Sequence, residues 1–67
     1  MNIVVNGKDM DLKNDKITVL ELIETLQIAD KVMAAAINME VVKKEDWKTR
    51  EIKQNDKVEF LQFVGGG

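Results

Sequence analysis

The sequence predicts an α+β fold in which one main helix crosses one face of a mixed sheet of four to five strands. Two local signals and the order of the segments between them support this prediction. Asn6-Gly7 is a strong hairpin signal because both residues tolerate positive φ, and Thr18 with Glu21 has the spacing of a helix-capping box. The short apolar runs that follow the helix are typical of further strands.

The chain opens with two strands that flank Asn6-Gly7. Asn2 to Val5 is short and mostly apolar, and Lys8 to Leu12 alternates polar and apolar side chains. We therefore expect an antiparallel hairpin whose second strand buries one face.

One helix is predicted from Thr18 to about Gln27. Its start has two signals, the capping box and a hydrophobic staple between Ile17 and Leu22. Apolar residues then recur at helical spacing, at Val19, Leu22, Ile23 and Leu26. We expect this stripe to pack on the sheet, because so short a chain cannot leave its most apolar surface exposed.

The second half of the chain predicts short strands separated by turns. Val32 to Ile37 and Val41-Val42 flank a turn at Asn38 to Glu40, and Lys57 to Val64 is the longest strand candidate after a turn at Gln54 to Asp56. If the last strand lies beside the first and parallel to it, the topology is that of a β-grasp, the ubiquitin-like fold.

Two further features of this half concern the surface and the core. Lys43 to Asp46 is charged and predicts a surface turn. Trp47, the only tryptophan, is expected to be a structural anchor at one edge of the core rather than a ligand-stacking residue, because it supplies much of the burial in a small domain.

Length and charge exclude several classes of protein. The 67 residues leave room for one domain, expected over residues 1–64, and the 10 basic and 12 acidic residues are interspersed, so we expect neither nucleic acid nor a membrane as a partner. The sequence lacks a signal-peptide pattern and an apolar run of roughly 20 residues. We expect a cytoplasmic protein.

The side chains present argue against an enzyme. His, Cys, Ser and Tyr are absent, which removes most groups used for nucleophilic attack or proton transfer near neutral pH. Two carboxylate pairs remain, Asp9 with Asp11 and Glu21 with Glu24, and both are typical of a solvated polar face. We expect no catalytic residue, no metal site and no bound cofactor.

The C-terminal glycines are the main functional signal. Gly65, Gly66 and Gly67 follow the last strand candidate, and glycine has no side chain to pack, so we expect residues 65–67 to form a flexible, thin tail. Such a tail suits insertion of the Gly67 carboxylate into an enclosed site on another protein. The alternative is a frayed end or the remnant of a linker.

A carboxylate is a poor electrophile when it is ionised, so a partner must activate Gly67 before any transfer. An acyl-adenylate made from ATP is the most natural activated form. Attack by a sulfur donor would then give a thiocarboxylate, and attack by an amine would give an amide.

Several segments together resemble a known family over nearly the whole chain. They are the Asn6-Gly7 hairpin, the helix start at Thr18, the run Ala36 to Val42, Glu45-Asp46-Trp47, Asp56 to Glu59 and the closing Val64 to Gly67. In combination they resemble the ThiS family, the sulfur carriers of thiazole formation in thiamine biosynthesis. The Gly-Gly end alone is shared by MoaD-type molybdopterin carriers and by ubiquitin-like modifiers.

The resemblance implies a β-grasp fold and a carrier function centred on Gly67. A ThiF-type enzyme would adenylate Gly67 with ATP, a sulfur-donor enzyme would supply the sulfur of the thiocarboxylate, and thiazole synthase, ThiG, would receive it. We expect a monomer, since a carrier visits several enzymes. A MoaD-type carrier, a protein modifier and a plain interaction module remain alternatives.

Strand alternation predicts a surface for these partners. Val58 and Phe60 are expected to face the core, and Leu61 and Phe63 the opposite side. Val4 would share that opposite side if its two neighbours are buried. We expect Val4, Leu61 and Phe63 to form a partner interface beside the tail; the alternative is that Leu61 and Phe63 pack under a loop.

Overall fold

Seven strands, one α-helix and one 3₁₀ turn make up residues 1–63, the part of the chain that the computed structural model describes. The predicted glycine tail and the predicted domain end at residue 64 lie outside these residues. The strands are β1 (Asn2–Val5), β2 (Lys8–Asp11), β3 (Ile17–Thr18), β4 (Val32–Ile37), β5 (Glu40–Val42), β6 (Glu51–Ile52) and β7 (Lys57–Gln62). Helix α1 is Val19–Thr25, and the 3₁₀ turn is Lys44–Asp46.

The main sheet has five strands in the order β2-β1-β7-β4-β5. Strand β7 lies at its centre and pairs parallel to β1, with Val4 opposite Lys57, and antiparallel to β4. The prediction of a mixed sheet with the last strand beside the first is therefore confirmed. The β-grasp topology follows from this pairing.

Both hairpins of the main sheet turn through residues with positive φ. Asn6 (φ 49°) and Gly7 (φ 81°) join β1 to β2, and Asn38 (φ 50°) and Met39 (φ 71°) join β4 to β5. Positive φ at both central residues is the geometry that matches the right-handed twist of the flanking strands. The first turn was predicted from Asn-Gly, whereas the second places a methionine in the left-handed region.

Helix α1 begins with the predicted capping box. The backbone N–H of Glu21 donates to Thr18 Oγ1 (3.1 Å), and the backbone N–H of Thr18 donates to Glu21 Oε1 (2.9 Å). The helix ends at Thr25, and Gln27 has a φ of 58°, close to the predicted end.

The core lies between α1 and one face of the main sheet. Trp47 is 5% exposed, and its Nε1–H donates to the carbonyl oxygen of Val42 (3.0 Å), so its role as a structural anchor is confirmed. The buried hydrophobic side chains are those of Ile3, Val5, Leu12, Ile17, Val19, Leu22, Ile23, Val32, Ala35, Ile37, Val42, Trp47, Ile52, Val58 and Phe60.

Two details differ from the sequence prediction, the second sheet and the extent of the last strand. The strands β3 and β6 form a separate two-stranded antiparallel sheet, with Ile17 opposite Ile52, that was not predicted. The surface turn predicted at Lys43 to Asp46 is confirmed, and it is an exposed 3₁₀ turn. The last strand was predicted to run from Lys57 to Val64 and to be the longest. Strand β7 instead ends at Gln62 and has six residues, the same length as β4.

The described part of the chain has no helix long and apolar enough to cross a membrane.

Candidate functional site

Strand β7 leads to the C-terminal residues and is held on both sides. Asn6 contributes twice: its backbone N–H donates to the Val58 carbonyl (2.9 Å), and its side-chain Oδ1 accepts from the Phe60 N–H (2.8 Å). At the end of the strand, the Phe63 N–H donates to the Lys31 carbonyl (2.7 Å). The Asn6 bonds therefore hold the first half of β7, and the Phe63 bond holds the chain where it leaves the sheet.

The side chains of β7 alternate between the core and the outer face of the sheet, the face that α1 does not cover. Val58 and Phe60 are buried, whereas Leu61 and Phe63 are 62% and 61% exposed. The structure therefore does not cover Leu61 and Phe63 with a loop formed by the described residues. Their contact with a partner stays a prediction.

Apolar side chains of β4 and β5 continue this exposed surface. Ala34 lies opposite Leu61 in the sheet register, and Ala36 lies opposite both Glu59 and Val41. Val41 is 76% exposed. We use the name apolar patch for five residues of the outer face: Ala34, Ala36, Val41, Leu61 and Phe63.

Sequence reasoning missed Val41. Because Val42 points into the core, alternation would have placed Val41 outward, but a strand of three residues is too short for alternation to be recognised.

The structure does not bring Val4 together with Leu61 and Phe63. Val4 is half-buried and pairs with Lys57, four positions before Leu61 on β7. At about 3.3 Å per residue this separation is roughly 13 Å along the strand. The prediction of one cluster of these three residues is wrong, because the parallel register places Val4 at the opposite end of β7.

The outer face is acidic on the side of the patch that faces β1 and β2. Glu59 is exposed beside Ala36, and Asp9 lies opposite Val4 on the edge strand. Lys57 is the basic residue that lies on the same face of β7 as Glu59. Within residues 1–63 the one ion pair joins the Met1 amino group to Asp11 (3.7 Å), so Glu59 takes part in none there.

The two carboxylate pairs of the sequence lie on β2 and on α1. Residues 1–63 contain no group of three or more His, Cys, Asp or Glu side chains that could hold a metal ion. Of the two carboxylate pairs in the sequence, Asp9 and Asp11 are exposed on β2, and Glu21 serves the capping box.

Comparison with known proteins places the chain in a family. A family model described as the ThiS family matches residues 3–67. The chain belongs to the ThiS family.

The relatives of this ThiS-family chain agree in sequence and in fold. Sulfur carrier protein ThiS of Bacillus subtilis (strain 168) is 35% identical over 63 residues, which cover 94% of this chain and 96% of that protein. The crystal structure of thiamine biosynthesis protein ThiS from Geobacter metallireducens is 37% identical, covers all of both chains and superposes with a TM-score of 0.84. The predicted family and the β-grasp fold are confirmed.

A second type of relative is a longer protein. A thiazole synthase of Paramagnetospirillum magneticum (strain ATCC 700264 / AMB-1) is 30% identical over 67 residues, which are all of this chain and 20% of that protein. That synthase therefore contains a ThiS-like segment within about a fifth of its length.

Proposed function

We propose that this chain is the sulfur carrier for thiazole formation in thiamine biosynthesis and that Gly67 bears the sulfur. The observation that carries the proposal is the match to the ThiS family over residues 3–67, supported by 35% identity to a sulfur carrier protein of nearly the same length. The chain is a carrier on which partner enzymes act, and it is not itself an enzyme.

The proposed chemistry has two steps, both within partner enzymes. In a ThiF-type enzyme, a carboxylate oxygen of Gly67 attacks the α-phosphorus of ATP, and pyrophosphate leaves. The acyl-adenylate then reacts with hydrosulfide released by a sulfur-donor enzyme, the new carbon–sulfur bond forms, and AMP leaves with the bonding electron pair. The product is a thiocarboxylate, with ATP bound only by the activating enzyme.

The receiving partner in this proposal is thiazole synthase. Its support is the thiazole synthase of P. magneticum, in which a segment similar to this whole chain shares one polypeptide with the synthase. Gly65 and Gly66 would give Gly67 the reach to enter the partner's site, since glycine adds no side chain to the tail. Leu61 and Phe63 would contact the partner where the chain leaves the sheet.

Intact-mass measurement tests the proposal. The chain is incubated with a ThiF-type enzyme, ATP and a sulfur source, and the expected mass gain equals the replacement of one oxygen by sulfur. Deletion of Gly67 should abolish this gain, and omission of ATP should abolish it in the full chain. A full chain that gains no sulfur would contradict the proposal.

A further inference from the structure

We infer that the apolar patch contains a socket for one basic side chain of thiazole synthase and that Glu59 is the charge partner of that side chain. The inference rests on the proposed function, which names thiazole synthase as the receiving enzyme. It adds a specific recognition element, centred on Ala36 and Glu59, that consists of residues other than the C-terminal glycines.

The socket is a shallow depression of about 220 Å³ in the outer face of the sheet. Ala34 and Ala36 form its floor, because their side chains are short and their cross-strand neighbours are longer. Leu61, Val41 and Glu59 stand around the floor. Pockets for small molecules usually measure about 300 Å³ or more, so the size favours a single protein side chain.

The lining of the socket selects a long basic side chain. Lys and Arg lay their methylene groups along apolar surface and keep the charged end at a polar edge. Here the alanines, Val41 and Leu61 supply the apolar surface, and the Glu59 carboxylate supplies the edge. An acidic side chain in the same position would meet Glu59 as a like charge.

Other charges on the outer face point to the same partner chemistry. Asp9 and Asp11 lie opposite Val4 and Asn2 and share the outer face with Glu59. Lys57 is two positions from Glu59 on β7, and no ion pair within residues 1–63 joins the two. Asp11 pairs with the Met1 amino group (3.7 Å), which leaves Asp9 and Glu59 against Lys57, so the face keeps an excess of negative charge that attracts a basic surface.

A second copy of this chain would fit the socket poorly. A two-fold contact between two outer faces brings the same acidic side chains toward each other. Thiazole synthase is the occupant we infer because a relative joins a ThiS-like segment and that enzyme in one polypeptide.

Binding of purified thiazole synthase to charge variants tests the role of Glu59. Glu59→Gln should weaken binding about tenfold and reduce its dependence on salt concentration, and Glu59→Lys should weaken it further. Glu24→Gln is the matched control, because Glu24 is an exposed carboxylate on α1, whose opposite face packs on the core. It should bind as the unchanged chain does.

Filling the depression tests the socket independently of charge. Ala36→Phe should weaken binding at least as much as Glu59→Gln does, and thermal melting shows whether the variant is folded. Ala36→Val, a smaller change suited to a strand, serves if the phenylalanine variant does not fold. Met39→Ala shortens an exposed apolar side chain that does not line the depression and should leave binding unchanged.

The outcomes separate this inference from the proposed function. If the unchanged chain gains sulfur and binds the synthase but Glu59→Gln and the folded Ala36 variant bind equally well, the socket is wrong and the carrier function stands. Equal weakening by Glu24→Gln would also overturn the role of Glu59. A chain that gains no sulfur contradicts the proposed function itself.

Discussion

Met39 has an unusual backbone conformation for its residue type. Its φ is 71° in the turn between β4 and β5, and its side chain is 88% exposed, so no burial offsets the conformational cost. An L-residue in the left-handed region costs roughly 1 to 2 kcal/mol. Asn38 beside it tolerates this region better and forms side-chain hydrogen bonds with the turn before β7.

Met39→Gly should therefore stabilise the protein. Glycine removes the steric cost of the left-handed conformation. Its greater conformational freedom in the unfolded chain offsets part of this stabilisation, so the free energy of unfolding should rise by about 0.5 to 1 kcal/mol. Urea denaturation followed by circular dichroism measures the change. Met33→Gly is the control, because Met33 is also exposed but lies in β4 without positive φ. Met33→Gly should lower the free energy of unfolding. An increase in the free energy of unfolding for both variants would contradict the explanation.

Helix α1 depends on its cap more than a longer helix would. It has seven residues, fewer than an isolated helix needs for stability in water. Thr18 satisfies the Glu21 N–H at its start and also pairs with Glu51 in the small β3–β6 sheet. One residue therefore links the helix to the second sheet.

Thr18→Ala should lower the free energy of unfolding by about 1 kcal/mol through loss of the cap. Thr25→Ala is a matched control in the same helix, where the hydroxyl donates to the Glu21 carbonyl (2.8 Å) one turn earlier. That substitution should be neutral or slightly stabilising, because alanine is the better helix former. Thermal unfolding of both variants measures the two changes in stability. Equal losses of stability in the two variants would show that the cap itself does not stabilise the helix.

The elements that the sequence predicted are those with local signals. Asn6-Gly7 and the capping box at Thr18 are chemical signatures within a few residues, and both were found where predicted. Strands β3 and β6 were missed because two residues cannot show alternation. Ile17 was recognised as an apolar neighbour of the cap, but its pairing with Ile52 is a tertiary contact without a local signal.

The candidate site was predictable only in part, because it depends on strand register across the whole molecule. Alternation within β7 correctly predicted that Leu61 and Phe63 are exposed. Which residues lie beside them depends on how β7 pairs with β1 and β4, and those pairings join distant parts of the chain. Register therefore separates Val4 from Leu61, adds Val41 to the apolar patch and places Glu59 beside it.

Strand β7 also determines whether the whole molecule folds. Without it the main sheet divides into the β1–β2 and β4–β5 hairpins, and isolated hairpins are marginal in water. A chain of residues 1–56 should therefore be unfolded, as measured by circular dichroism, since it also loses Val58 and Phe60 from the core.

A chain of residues 1–63 keeps every buried residue of the described core, so its free energy of unfolding should lie within about 0.5 kcal/mol of the value for the full chain. The same 1–63 chain should gain no sulfur, which would separate folding from carrier function; a marked loss of its stability would assign the last four residues a part in the fold.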